Sequence, residues 1–229
     1  MAHSPASASI AERLTLAVDE THRVSALLQL PPAATTCFVL AHGAGAGMDH
    51  TSMVAIATEL AARNIATLRF QFPYMERGSK RPDSPPVAHA AVRAAVAEAR
   101  RRLPGLPLFA GGKSFGGRMT SQTQAEAPME GVRGLVFIGF PLHPAGKPAQ
   151  ERATHLHKVK CPMLFLQGTR DELADLTLLR SVLEPLQDRV TLKVFEDADH
   201  SFHVRARSGQ TDDQVRAAMI EAVVNWLKV

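Results

Sequence analysis

The stretch PLFAGGKSFGGRM, residues 107–119, decides how the chain reads. Pro107 to Ala110 is a short apolar run of the kind that makes a buried strand, and Phe115 to Ala127 suits a helix. Between them, Gly112-Lys113-Ser114-Phe115-Gly116 sets one serine between two glycines. A nucleophilic serine must project from a sharp turn into open space above a sheet, and small flanking residues let strand and helix approach there. Ser114 is therefore the candidate nucleophile. GGKS after a strand also looks like the end of a phosphate-binding loop, but GxxxxGK[ST] needs a glycine five positions before Gly112, where Pro107 stands. The nucleotide reading fails on that residue.

Outward from this point, short apolar runs alternate with longer helical patterns, the signature of a mostly parallel sheet with helices on both faces. Leu14 to Val18 and Val24 to Leu30 flank a polar turn and form an antiparallel lead-in. Cys37 to Ala41 is a strand followed by the glycine loop HGAGAG, residues 42–47, and a helix through Met53, Ile56 and Leu60, with Asp49 and Thr51 as capping candidates. Ile65 to Phe70 is the next strand. The prolines and charges of FPYMERGSKRPDSPP predict a surface loop before a helix from His89 to Leu103. Strand Gly134 to Phe140, an irregular connection from Pro141 to Lys160, strand Met163 to Gln167, helix Leu173 to Leu186, strand Val190 to Phe195 and helix Asp213 to Leu227 complete the pattern. The chain of 229 residues reads as one α/β domain, with residues 1–12 as a flexible lead.

Composition narrows the classes. With 45% hydrophobic and 21% charged residues the chain is globular rather than disordered or collagenous. No apolar run reaches the length of a membrane span and the start lacks a secretory h-region, so a cytoplasmic location is expected. Cys37 and Cys161 read as free buried thiols rather than a disulfide or metal ligands. The net charge of +4 is scattered, and Arg100, Arg101 and Arg102 close a predicted helix, where cations suit the dipole, so no nucleic-acid surface is expected.

A serine hydroxyl needs a base, and the base needs an acid that holds its tautomer. His200, in EDADHSF, lies in a loop between a late strand and the last helix and is the candidate base. His155, His157 and His203 lack a matching set of carboxylates or cysteines for zinc and read as ordinary polar positions. Asp171 follows the strand MLFLQ in GTRDEL and is the candidate acid, with Glu172 and Asp175 as neighbours suited to capping a helix. The oxyanion formed on attack needs backbone donors. The N–H of Phe115 is one, and Ala44 in the glycine loop is the candidate second, with Gly43 or Gly45 as alternatives.

These residues resemble the α/β-hydrolase fold over nearly the whole chain. The branch they resemble is dienelactone-hydrolase-like, within a small bacterial group marked by HGAGAGMDH, RFxFPYMERG, GGKSFGGRM, GTRDEL and DADHSF. That group resembles the hydrolase-like domains of a testis-expressed protein and of a non-specific-lethal chromatin-complex subunit. The resemblance implies Ser114 as nucleophile, Asp171 as acid and His200 as base. Dienelactone hydrolases use a cysteine nucleophile, so Ser114 departs from that substrate class. About twenty residues between the strands ending near Phe140 and starting near Met163 are too few for a folded cap, so an open site is expected. Met48, Tyr74, Met75, Phe115, Phe140 and Leu142 are expected to form its floor and walls, and Arg69 and Arg118 to meet an anionic substrate. The expected activity is cleavage of a small ester, or a thioester or amide, with no metal or organic cofactor required. The alternative is an inactive interaction module that kept the fold.

Overall fold

In the computed structural model, which describes residues 11–228, eight strands form one sheet. They are β1 (Ala11–Ala17), β2 (Arg23–Gln29), β3 (Thr36–Ala41), β4 (Ile65–Phe70), β5 (Leu108–Lys113), β6 (Val132–Ile138), β7 (Met163–Gly168) and β8 (Val190–Phe195). Their order is β1-β2-β4-β3-β5-β6-β7-β8. β1 and β2 pair antiparallel, β2 runs antiparallel to β4, and all later pairs are parallel. This is the α/β-hydrolase fold with its antiparallel start.

The chain leaves β3 for β4 on one side and returns to β5 on the other, so the strand order reverses at β3 and β5. Loops after these two strands diverge and leave a crevice at their carboxyl ends, where open parallel sheets bind ligands. The glycine loop follows β3 and Ser114 follows β5.

Every residue of β3 and β4 is buried, as expected of central strands covered on both faces. Alternation sorts their side chains. Phe38 and Leu40 pack with α1 (Thr51–Ala61) and α6 (Asp212–Leu227), while Cys37, Val39 and Ala41 face α3 (Pro85–Arg102) and α4 (Phe115–Glu126). The two cores lie one on each side of the sheet. Cys37 and Cys161 are free thiols; Cys37 is buried, which pushes its thiol up to about 12, while Cys161 is part-buried. Arg100, Arg101 and Arg102 all sit in ion pairs, with Glu130, Glu98 and Glu12.

The structure corrects several expectations. Ala11 and Glu12 are not a loose lead but pair with Gln29 and Leu28; the rest of that segment, residues 1–10, lies outside the described residues. α1 is capped by His50, whose side chain accepts from the Ser52 N–H, rather than by Asp49 or Thr51. The segment after β4 is not simply a surface loop: a short helix α2 (Pro73–Glu76) forms there, and Pro85 starts α3. Proline is tolerated at the first helical position because its missing N–H would lack a partner there anyway. β5 extends to Lys113, since its glycines stay in the sheet, and the segment expected as one helix over 173–186 is α5 (Leu176–Leu183) followed by a 3-10 turn, Glu184–Arg189.

Glycine at 116 is required by a close approach. A Cβ there would lie 2.5 Å from the His42 carbonyl oxygen and 2.6 Å from that of Ala41. Overpacking of this kind costs about 2 to 3 kcal/mol. Gly116→Ala is therefore expected to lower the melting temperature by about 4–12 °C, at roughly 2–4 °C per kcal/mol for a chain of this size. Gly105→Ala, with open space around it, is the control. Calorimetry that finds both variants equally stable contradicts this packing.

Candidate active site

The chain turns from β5 into α4 on a single residue. Ser114 sits at φ 49° and ψ −116°, a region that a side-chain-bearing residue enters only under constraint. Its N–H is held by the Ile138 carbonyl at 3.0 Å, and its carbonyl accepts from Arg118 N–H at 3.1 Å. The side chain is thereby lifted out of sheet and helix alike. Phe115 to Gly117 form the first helical turn, whose N–H groups have no helical carbonyl to bond.

Two long loops bring their side chains to this hydroxyl. His200 Nε2 lies 2.8 Å from Ser114 Oγ, and His200 Nδ1 lies 2.7 Å from Asp171 Oδ2. A carboxylate only accepts, so Nδ1 carries the proton and Nε2 is left to accept from the serine hydroxyl. The Asp171 carboxyl is fully enclosed. It is satisfied by three donors: His200 Nδ1, the Leu173 N–H at 2.8 Å and Gln167 Nε2. The loops cross closely, because a Cβ on Gly168 would overlap the carbonyl oxygen of Ala198. Glu172 is exposed, and Asp175 caps α5 by accepting from Leu178 N–H at 2.9 Å. Neither competes with Asp171.

The glycine loop is fastened from beneath. Gly45 N–H donates to Tyr74 Oη at 3.0 Å, Met48 N–H to Gln71 Oε1 at 2.8 Å, and Arg69 Nη1 to the Met48 carbonyl at 2.9 Å. His42 links the two segments by donating from Nδ1 to the Gly43 carbonyl and accepting from Phe72 N–H at Nε2. Gly45 is thus committed, which leaves Ala44 and Gly43 as donors in that loop. Ala44 is exposed, and Gly43 lies against Ser114, since a Cβ on it would stand 3.7 Å from the serine Cβ.

The expected walls are placed differently. Tyr74, Phe140 and Leu142 are closed into the core, as is Met48, so their side chains offer no surface to a ligand. Phe115 is 8% exposed and Met75 half-buried. Of these, Tyr74 supports the glycine loop through its hydroxyl. Arg69, expected to meet an anion, is buried, with Nη1 donating to the Met48 carbonyl and Nε without a partner. Gln167 and His143 went unnoticed in the sequence. Gln167 bridges Phe140 N–H and Asp171, and His143 Nε2 accepts from Asp175 N–H at 2.8 Å. A polar residue closing the buried run MLFLQ was the available signal for the first.

A second serine–histidine contact occurs between Ser121 Oγ and His155 Nε2 at 2.7 Å. It differs chemically. Ser121 directs its proton to the Arg118 carbonyl, and no carboxylate bonds His155 among the described residues. Burial, with Arg118, His89 and His157 nearby, pushes His155 down to about 4. Such a ring is a weak base.

Comparison with known proteins identifies the family of the fold that carries this site. Residues 34–228 match the family model of an alpha/beta hydrolase domain, and the chain belongs to that family. Among solved structures, a serine hydrolase without a lid from Xanthomonas campestris superposes with a TM-score of 0.72 at 24% identity, over 99% of each chain. A dienelactone hydrolase from Anabaena variabilis gives 0.75 at 19% identity, covering 97% of this chain and 98% of its own. Est1E from Butyrivibrio proteoclasticus, solved with ferulic acid, gives 0.68 at 15% identity, covering 92% and 99%. At these identities the likeness is one of fold.

Burial pushes His42 down to about 4, only partly opposed by its bond to the Gly43 carbonyl. An unfolded histidine titrates near 6.5, so as pH falls the unfolded state takes up the proton first and stability is lost from about 6.5 downward. Above that pH the contribution is complete. His42 and His155 together predict a loss of several kcal/mol, up to about 3 for each ring, by pH 4. Urea midpoints between pH 8 and 4.5 test this: a steady fall below 6.5, shallower in His155→Gln, is expected, and a flat profile contradicts it.

Proposed function

We propose that the chain is a serine hydrolase of small carboxylic esters, acting as one domain through Ser114, His200 and Asp171. The observation that carries this reading is the unbroken hydrogen-bond line from Ser114 Oγ through both ring nitrogens of His200 to an enclosed carboxylate. Ser114 Oγ attacks the carbonyl carbon while its proton passes to His200 Nε2. Asp171 stays ionised and stabilises the imidazolium. The oxyanion is met by the N–H of Phe115, and by that of Ala44 or Gly43. Collapse of the tetrahedral adduct expels the alcohol, which takes the proton from His200. Water, deprotonated by the same imidazole, then releases the acid from the acyl-serine.

Thioesters and amides fit the same steps, but an alcohol or thiol leaves more readily than an amine, which depends most on the proton from His200. Among the described residues no folded cap covers the crevice: the connection from 139 to 162 holds only a 3-10 segment, Glu151–Lys158. This supports an open site and short acyl groups, in keeping with a carboxylesterase of the dienelactone-hydrolase-like branch and with the small bacterial group its motifs resemble. An inactive module would have no need to keep a serine at a strained φ, an imidazole within 2.8 Å and a fastened glycine loop together.

With p-nitrophenyl esters, Ser114→Ala and His200→Ala are expected to lower kcat by at least about 10³-fold, and Asp171→Asn by about 10³–10⁴-fold. Ser121→Ala should remain within about twofold, as a side chain outside the reaction. Acetyl and butyryl esters should be preferred over chains beyond about ten carbons. Activity that survives Ser114→Ala, or a strong preference for long chains, contradicts the reading.

A further inference from the structure

Lys113 immediately precedes Ser114 and shares the strand parity of Phe109, whose side chain packs on the α1 and α6 side of the sheet. It enters a cavity of about 330 Å³ between the first turns of those two helices. Its stem passes the glycine loop: a Cβ on Gly43 would lie 3.8 Å from Lys113 Cγ. Ser201, the neighbour of His200, lines the same cavity. Lys113 and Ser201, the chain neighbours of Ser114 and His200, thus bring the cavity up to the edge of the site.

The charges lining it are settled, with one exception. Arg216 bonds Glu59 at 2.6 Å and Asp213 at 2.9 Å. Asp212 accepts from His203 Nδ1 at 2.7 Å and Val204 N–H at 2.8 Å. His50 bonds Ser52. The Lys113 ammonium makes no hydrogen bond or ion pair with any described residue, although the side chain is part-buried. Desolvation pushes its pKa down, against the longer-range pull of Asp199 and Asp171. A partly desolvated ammonium without a contact ion pair is costly, because Asp199 and Asp171 already hold other donors, and an anion arriving in the cavity relieves that cost. Thr51 and Ser52, the first residues of α1, line the same space.

Which half of an ester belongs here follows from proton transfer. His200 hands its proton to the departing alcohol, so that alcohol leaves on the imidazole side of Ser114, and Ser201 to His203 wall the cavity on that side. We propose that this cavity receives the leaving-group half of the substrate and that Lys113 recognises an anionic substituent on it, a carboxylate or a phosphate. The inference rests on the hydrolase reading above and names its substrate class: acyl esters of acidic alcohols or phenols.

The test compares 4-acetoxybenzoate and 4-acetoxyphenyl phosphate with neutral methyl 4-acetoxybenzoate on the full chain. At least one anionic ester is expected to be favoured in kcat/KM by about tenfold or more, and the larger gain tells carboxylate from phosphate. Lys113→Met should collapse that ratio and Lys113→Arg should retain part of it. A native ratio near unity, or a ratio that survives Lys113→Met, overturns the proposal. Calorimetric binding of 4-hydroxybenzoate and phenyl phosphate to the native chain gives a second readout that needs neither turnover nor a folded variant. Binding no tighter than that of methyl 4-hydroxybenzoate overturns the anion site even if esters are hydrolysed. A chain that binds the anions but turns over no ester keeps the site and overturns the hydrolase reading instead.

Discussion

Between β5 and α4 the backbone has one residue in which to reverse, and Ser114 absorbs the whole turn at φ 49°. That conformation is held open by its surroundings rather than by its own preference. Gly116 and Gly117 let α4 sit directly on the ends of β3 and β5, and Ser114 is clamped through the Ile138 carbonyl on one side and Arg118 N–H on the other. Strain of this kind persists only where packing over-determines it. Its result is a hydroxyl projecting above the sheet beside unpaired helical N–H groups, in the crevice where the strand order reverses.

The other chemical groups reach this hydroxyl from loops, and each loop is secured by buried polar side chains. Tyr74, Gln71, Arg69 and His42 hold the glycine loop. Gln167 and the Leu173 N–H hold Asp171, and His143 holds the backbone of Asp175 beyond it. Apolar packing alone would fill the same space at less desolvation cost. Satisfied polar networks instead fix one arrangement, which a site dependent on hydrogen-bond distances requires. The buried imidazole of His42 also makes the scaffold sensitive to acid, so site geometry and fold stability share that residue.

Much of this was legible in the sequence, and the exceptions have physical causes. Apolar runs located every strand, and Ser114, Asp171 and His200 could be chosen because each follows a strand at one edge of a parallel sheet. Boundaries slipped where a residue type has two roles. Prolines read as breakers start α2 and α3, and glycines read as loop continue β5 to Lys113. The walls of the site were misplaced for a different reason. Tyr74, Phe140 and Leu142 are apolar residues close to the motifs, but periodicity does not say whether such a side chain faces a crevice or the core beneath it, and here it is the core. Arg69 and Lys113 show the same limit for charge, one directed at a backbone carbonyl and the other without a hydrogen bond or contact ion pair, a distinction that only coordinates reveal.

The central claim is that the hydroxyl at position 114, and no other, is activated. Trypsin cuts after Lys113 and Arg118, which separates Ser114 from Ser121 into different peptides. Tandem mass spectrometry of the native chain after reaction with a fluorophosphonate should therefore find the adduct on the peptide 114–118. An adduct on the peptide that carries Ser121, or a folded chain that takes no label, would contradict the account.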